Sequence, residues 1–543
     1  MKKFKKVVAL SVCAAMAFSA VGCGKKDNSV GDLAKPTFEV NADTPSWKVD
    51  DSSADLSWYI NFEWFAQSWG EDVASKYITE DTNVNITYQS GGDDKLNTML
   101  ASGDLPDIIT IDGSSPIVKD AAKFALPLDV LSEQYDPFFM KSAAKEETLK
   151  FYTQEDGHVY GYPNFSTTKA DYEGDGVYGN QAFLVREDIY EQIGKPDMTT
   201  PEGFLSALKT VKELGLKDDL GKDIIPFGTT DFIEAAEKNA IFERTLADFI
   251  GVPLLTEDGK FYDRYTDPDF ITWTKTLSQA RRDGLTDRDM LTMAKADKDA
   301  KLSNGSFFAY FAPDVIAETE PIAVWENGHP EQSYIAVDGP SSTMGRESTL
   351  LANSIEGWTL TFISKSCKNP QKAMELITYL VSEEGDTVMN YGRLGETYEM
   401  VDGKPVLNAD LLELKQSDPG KFEREVGLTT HLWLQDSVRL SSYMGIDQFP
   451  KALQQPKAWT QDKVVPQFEL AQLDLELSKE SARNVEKIAQ KWSQTVAAML
   501  DAKSDEDVDK AMEEFKQYRL DNGYEKIVEE RNAKIAKNIE KLK

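Results

Sequence analysis

Cysteine and histidine are scarce in this chain of 543 residues, with three of each. Cys13 and Cys23 lie near the N-terminus. If that end is removed or modified, only Cys367 remains, so no framework of intramolecular disulfides can form and stability must come from the core. Cys367 stands just before Asn369-Pro370, a helix-start signal, and reads as a half-buried structural thiol and not as a nucleophile. His158, His329 and His431 are far apart and none falls in a paired pattern such as HExxH, so zinc catalysis and a histidine-based triad lack support. No catalytic residue, metal ligand or cofactor is expected. Gly174-Asp175-Gly176-Val177-Tyr178-Gly179 satisfies GxGxxG, yet no apolar strand precedes it, and Asp171, Glu173 and Asp175 would repel a pyrophosphate. The same acids open like a calcium loop, but Ala182 occupies the position where a bidentate Glu is required; a turn with solvated acids is the simpler reading. From Gly215 to Gly221-Lys222 there is one residue too many for a phosphate loop, and Asp223 replaces the hydroxyl that would hold magnesium.

Positive charge is also short: 60 Lys and Arg face 92 Asp and Glu, a formal charge of −32. A surface this acidic repels nucleic acid and anionic lipid, argues against a polyanionic ligand unless a local basic cleft overrides the net charge, and suits solubility at a cell surface. The longest apolar run, Val7 to Val21, is shorter than the roughly 20 residues of a spanning helix. Lys2, Lys3, Lys5 and Lys6 precede it and the small Gly22 ends it, which is the anatomy of an export signal. Ala20-Val21-Gly22-Cys23 resembles a bacterial lipobox, in which cleavage precedes the Cys and its thiol carries lipid, although Leu is commoner where Ala20 stands. An ordinary secretory signal with an incidental Cys23 is the alternative. Gly24 to Ser29 is a polar tether. A signal peptide over 1–22, a flexible tether over 23–50, and a lipid-anchored position on the extracellular face of the cytoplasmic membrane are therefore expected.

With 41% hydrophobic residues, the remainder is long enough for two or three domains. Asp55 to Phe62 has strand character, and Trp69 onward, through Val73, Ala74, Tyr77 and Ile78, has helical spacing. Asn83 to Tyr88 alternates as a second strand, Lys95 to Leu100 reads as a helix stopped by Gly103, and Leu105 to Asp112 reads as a buried strand beginning after Pro106. This order points to an open α/β sheet, whose ligands sit beyond the carboxyl ends of strands; Asn61–Trp64 and Asp112–Ser114 then share a rim. The grammar repeats. Phe183-Leu184-Val185 is a strand, Thr200-Pro201 opens a helix closed by Gly215, and strands follow at Phe307–Phe311, Tyr334–Val337 and Gly357–Ser364. The C-terminal part is helical, with Val485, Ile488, Trp492, Val496 and Met499 on one face and another helix starting at Ser504.

Ala101-Ser102-Gly103-Asp104-Leu105-Pro106-Asp107-Ile108-Ile109 resembles a segment shared by extracellular solute-binding proteins of carbohydrate importers. So do Leu184 to Asp188, Thr199 to Phe204, Ile363-Ser364-Lys365 before Asn369 to Ala373, and Tyr391-Gly392 with Gly395-Glu396. With the long C-terminal helices, these are similar to the larger lipoprotein branch of Gram-positive bacteria. The resemblance implies an α/β, two-lobed periplasmic-binding-protein-like fold of type II with hinge crossovers and an extended helical C-terminus. Lobe 1 is expected over 51–164 and about 338–390, and lobe 2 over about 165–337 and about 391–543. It further implies a monomer that takes an oligosaccharide in the interlobe cleft and passes it to membrane-embedded ABC permease subunits.

Physically, a sugar offers apolar C–H faces and a rim of hydroxyls, so its site needs flat aromatic walls and a few polar side chains that fix orientation. The 10 Trp suffice for walls and a core. Asn61, Glu63 and Trp64 are the first candidates, with Trp64 equally able to serve as core under the next helix. Asp112 and Ser114 end the third strand and also fit an Asx-turn or helix cap. Tyr162 and Asn164 lie where the chain should first cross between lobes, Phe311 and Asp314 follow the strand from Phe307, and Trp358 and Trp433 complete the set, although an aromatic is more often core. A glycoside hydrolase is the enzymatic rival, since it needs only two carboxylates about 5–9.5 Å apart. A peptide- or amino-sugar-binding protein of the same fold is the other alternative.

Overall fold

The structure, a computed structural model, describes residues 33–174, 176–229, 241–444, 446 and 449–543; the leader with Cys23, and Asp175, lie outside the described residues. The strands in chain order are β1 (Ala54–Ile60), β2 (Val84–Ser90), β3 (Ile108–Asp112), β4 (Gly161–Pro163), β5 (Ala182–Arg186), β6 (Ile225–Thr229), β7 (Phe307–Ala312), β8 (Tyr334–Ala336), β9 (Thr359–Ile363), β10 (Tyr398–Val401) and β11 (Lys404–Leu407). They form two sheets, β2-β1-β3-β9-β4 and β6-β7-β5-β8, and a hairpin β10-β11. In the first sheet β1 runs parallel to β2 and β3, while β9 is antiparallel to β3 and β4. In the second, β7 is parallel to β6 and antiparallel to β5. Helices cover both sheets, so the central strands β7 and β9 are buried throughout, β7 as a continuous apolar run and β9 with Thr359 and Thr361 enclosed among its apolar residues. Edge strand β2 alternates, with Val84 and Ile86 inside.

Local chemistry sets the element ends. Gly103 and Gly215 take left-handed conformations after the helices Asp93–Ser102 and Pro201–Leu214. The Thr200 hydroxyl accepts from Gly203 N–H, and Asn369 accepts from Lys372 N–H ahead of Pro370. The first helix begins at Val73 and not at Trp69, because Gly70 has φ 83° and Asp72 caps Ser75 N–H. In the hairpin, Asp402 (φ 51°) and Gly403 (φ 81°) form the two-residue turn, a signal the helical pattern around it hides.

Packing also departs from the expected boundaries. The folded body starts before residue 50: Trp47 is buried between Phe138 and Tyr379, and the Ser46 hydroxyl donates to Tyr135 O at 2.6 Å. The segment after Tyr391, expected with the second sheet, joins the first: Leu407, Phe422, Val426 and Leu428 pack with Ala74, whose N–H donates to Val426 O at 3.0 Å. The helices Lys479–Leu500 and Asp505–Asp521 do pack on the second sheet, Trp492, Met499 and Phe515 entering one core with Phe183, Phe204 and Phe311. The last helix, Tyr524–Lys541, returns to the first lobe, where Lys541 Nζ donates to Phe151 O and Thr153 O at 2.8 and 2.9 Å.

The two lobes are joined where three chain segments meet. Leu350 N–H donates to Lys463 O and Val465 N–H to Leu350 O, both at 3.1 Å, while Gln181 Oε1 accepts from Leu351 N–H at 2.9 Å. These short contacts between β4–β5, β8–β9 and the approach to the C-terminal helices tie the two lobes together and form the hinge between them.

Candidate functional site

At the carboxyl end of β1, Asn61 N–H donates to Thr110 O at 2.9 Å, after which the chain leaves the sheet carrying Phe62, Glu63, Trp64 and Phe65. Three other segments bring rings to the same place. Phe62 stacks on Trp433 (centroids 5.6 Å, planes 12° apart), Trp64 on Trp358 (6.2 Å, 8°), and Phe165 on the same Trp358 (6.3 Å, 13°). Phe65 meets Trp433 edge-on at 5.0 Å. Trp433 is the fully buried floor, Trp358 is half-buried, and Trp64 is 61% exposed, a large apolar surface left open to solvent. The indole N–H of Trp433 finds no hydrogen-bond partner among the described residues, so the floor of the stack holds an unsatisfied donor.

Asn164 holds this assembly together. Its fully buried side chain accepts from Thr359 N–H (2.9 Å) and the Thr359 hydroxyl (3.0 Å) and donates to Leu432 O (3.1 Å), while its own carbonyl accepts from Trp358 N–H at 3.3 Å. One side chain thus fixes the backbone on both sides of the platform. Gly357 has φ 63°, and a Cβ there would stand 2.0 Å from Asn164 O, so only glycine allows this approach.

Around the rings lie carboxylates. Asp93 Oδ1 accepts from Asn61 Nδ2 at 2.6 Å, and Asn61 Oδ1 accepts from the Tyr59 hydroxyl at 3.1 Å. Burial, with the charges of Asp93 and Glu63, pushes the Tyr59 hydroxyl up to about 12. Asp112 Oδ1 accepts from Ser114 N–H and hydroxyl at 2.8 and 2.6 Å, and Gly113 N–H donates to Trp358 O at 2.9 Å, which ties this rim to the platform. Burial raises the Glu356 carboxyl, against Gln472 N–H, which donates to it at 2.7 Å. Behind the rings, buried His431 contacts Asp72 through Nε2 (3.1 Å) and the Tyr88 hydroxyl through Nδ1 (3.2 Å). Burial would raise Asp72, yet hydrogen bonds from His431 and Ser75 and the His431 charge hold it below the usual carboxylate range.

Of the residues singled out in the sequence, the structure brings Trp64, Trp358 and Trp433 into one stack, with Glu63 beside it. Asn61, Asp112 and Ser114 reach the same rim but spend their hydrogen bonds on neighbours. Asn164 positions the platform from within. Tyr162 is buried in the first lobe, its hydroxyl accepting from Lys145 N–H at 3.0 Å. Phe311 is core, 4.9 Å from Phe249 and 6.0 Å from Phe183, and exposed Asp314 accepts from Ile316 N–H in a turn. The rings that sequence reasoning missed are Phe62, Phe65 and Phe165. The run Phe62-x-Trp64-Phe65 was a visible signal, but Phe165, at φ 54°, carried none.

Two sheet-and-helix lobes about a three-segment hinge, with an open aromatic platform at the end of the first sheet, define a two-lobed binding protein. Residues 65–387 match the bacterial extracellular solute-binding protein family, and the chain belongs to it. It is 26% identical over 262 residues to the fructooligosaccharide ABC transporter substrate-binding protein FusA of Streptococcus pneumoniae serotype 4. That match takes in 45% of this chain and 47% of FusA, so the alignment spans about half the relative's length. Lipoprotein LipO of Bacillus subtilis is 23% identical over 335 residues, 60% of this chain and 63% of LipO. Among solved structures, an HMO-binding ABC-transporter-associated solute-binding protein from Bifidobacterium longum infantis superposes with a TM-score of 0.68 at 16% identity. It covers 89% of this chain and 99% of its own, a likeness of fold. No described helix is long and apolar enough to cross a membrane.

Proposed function

We propose that this protein captures an extracellular oligosaccharide on the platform of Trp64, Trp358, Phe165 and Phe62, closes its second lobe over it, and delivers it unaltered to an ABC permease. The observation that carries this reading is the exposure of Trp64 in parallel stacking with Trp358, since rings in that arrangement match the C–H faces of successive sugar residues. The fructooligosaccharide of FusA and the HMO of the Bifidobacterium protein agree with it. Closure about the hinge excludes water and gives the permease a two-state signal. The chain works as a monomer held at the outer face of the cytoplasmic membrane by lipid on Cys23, in keeping with its leader and with LipO. Binding without turnover separates this from a glycosidase.

A thermal-shift screen of residues 33–543 against neutral oligosaccharides, monosaccharides and peptides tests the reading. Ligand at a hundredfold excess over Kd stabilises the folded state by about 2.7 kcal/mol. A shift with one sugar class, and recovery of that sugar intact, supports capture; a shift with peptides alone removes it.

A further inference from the structure

The rings and the rim around them belong to the first lobe, so a sugar seated there is held on one face until the second lobe supplies a counterpart. The second lobe offers Arg244. It stands on the helix Ile241–Phe249, whose Leu246, Ala247 and Phe249 enter the core with Phe183 and Phe311. From Glu243 to Phe249 every residue but Arg244 is buried. Among the described residues Arg244 has neither a hydrogen bond nor an ion pair, whereas its neighbour Arg264 is spent on buried Asp248 at 2.7 Å. An exposed guanidinium in this state keeps its N–H donors free.

The hinge fixes where this helix sits. Gln181 Nε2 donates to the Thr245 hydroxyl at 3.3 Å and to Asp248 Oδ2 at 2.8 Å, and Asp248 O accepts from Thr349 N–H at 2.8 Å. Gln181 Oε1 accepts from Leu351 N–H at 2.9 Å, so the helix turn carrying Arg244 is bound to the crossover that runs on to Glu356 and Trp358. Glu356 is half-buried at the first lobe's rim, its Oε2 accepting from Gln472 N–H at 2.7 Å and its backbone O from the Tyr152 hydroxyl at 2.6 Å. Gln472 Nε2 donates to Gly113 O at 3.2 Å, beside the Gly113 N–H that bonds Trp358 O. Burial raises the Glu356 carboxyl, and Gln472 N–H, Lys534 and Arg244 oppose it in that order, so the charge of Arg244 is felt across the boundary between lobes. Lys534 is already paired with Glu476 at 3.1 Å.

Resting on the proposed function, we infer that Arg244 is the second lobe's glycan contact: with the lobes closed, its guanidinium donates to hydroxyl oxygens of the sugar unit seated on Trp358, while Glu356 accepts hydroxyl hydrogens of the same unit from the first lobe. A guanidinium only donates and an ionised carboxylate only accepts, whereas each sugar hydroxyl does both, so adjacent hydroxyls of one ring fit between them. The planar fork of Arg engages two oxygens at once, which the ammonium of Lys does not reproduce.

Residues 33–543 are screened by thermal shift against kestose, maltotriose, xylotriose, mannotriose and lacto-N-tetraose, and the strongest binder is followed by calorimetry on the parent, R244A, R244K, E356Q and R244A/E356Q. R244A is expected to keep the parent's ligand-free unfolding temperature and to bind at least about tenfold more weakly, with only part of the loss recovered in R244K. In the E356Q background the R244A change should again weaken binding about tenfold. An R244A affinity within about twofold of the parent overturns the inference. So does a loss that vanishes in the E356Q background, since Arg244 would then act only through Glu356. A lowered ligand-free unfolding temperature in R244A overturns it too, because the residue would be structural; in all three cases oligosaccharide capture stands. Binding to none of the five probes removes the proposed function and this inference with it.

Discussion

Asn164 accepts two hydrogen bonds from Thr359, one from its N–H at 2.9 Å and one from its hydroxyl at 3.0 Å, locking the first crossover between lobes to the first residue of β9. Asn164→Ala leaves these donors and Leu432 O unpaired in the interior, at a cost of about 2–4 kcal/mol. Urea denaturation should show a lower midpoint with an unchanged slope, and glycan affinity should fall with it because Trp358 loses its support.

Trp64 and Trp433 share a stack and should respond oppositely to truncation. Trp64→Ala, at an exposed site, is expected to change stability by less than about 0.5 kcal/mol while weakening glycan binding about tenfold. Trp433→Ala opens a cavity beneath the platform and should destabilise by about 3–5 kcal/mol. Denaturation midpoints and calorimetry on the same samples check both. A ligand-free Trp64→Ala protein as unstable as Trp433→Ala would refute the assignment of Trp64 as an open wall.

Burial pushes the Asp136 carboxyl up to about 7, although Ser46 N–H donates to it at 3.2 Å. The native state therefore keeps a proton that the unfolded chain has lost, so this group makes stability fall as pH rises from about 4 to about 7. Asp136→Asn, which mimics the protonated form, should flatten that part of the profile of urea midpoint against pH relative to the parent protein. An unchanged profile would show that Asp136 ionises normally.

Lys145 Nζ stands 2.9 Å from both Asp171 and Asp436 and 3.0 Å from Ser166 O, so one cation gathers the first crossover and the segment leading to the helix Ser437–Met444. Lys145→Met leaves these acids facing each other beside Asp386, with an expected loss of about 1–3 kcal/mol after allowance for partial exposure. High salt should recover part of that loss, which a purely steric effect would not.

Much of the fold is legible because it is local. Period-two burial in β2, the glycines at 103 and 215, and the caps at Thr200, Asn369 and Ser504 act within a few residues, and the structure uses each as its chemistry requires. Where the reading failed, distant partners intervened. Trp47 looked like tether until Phe138 and Tyr379 enclosed it, and Phe311 looked like a ligand contact until the second core claimed it.

By itself the sequence determined the acidic balance, the export-like leader, the alternation of strands and helices, and a chain rich enough in Trp to wall a cleft. Only the tertiary structure decided which rings are wall and which are core. Stacking needs four segments, around residues 62–65, 165, 358 and 433, to converge within about 6 Å, and that convergence is set by β-sheet order and by Asn164, not by any spacing along the chain.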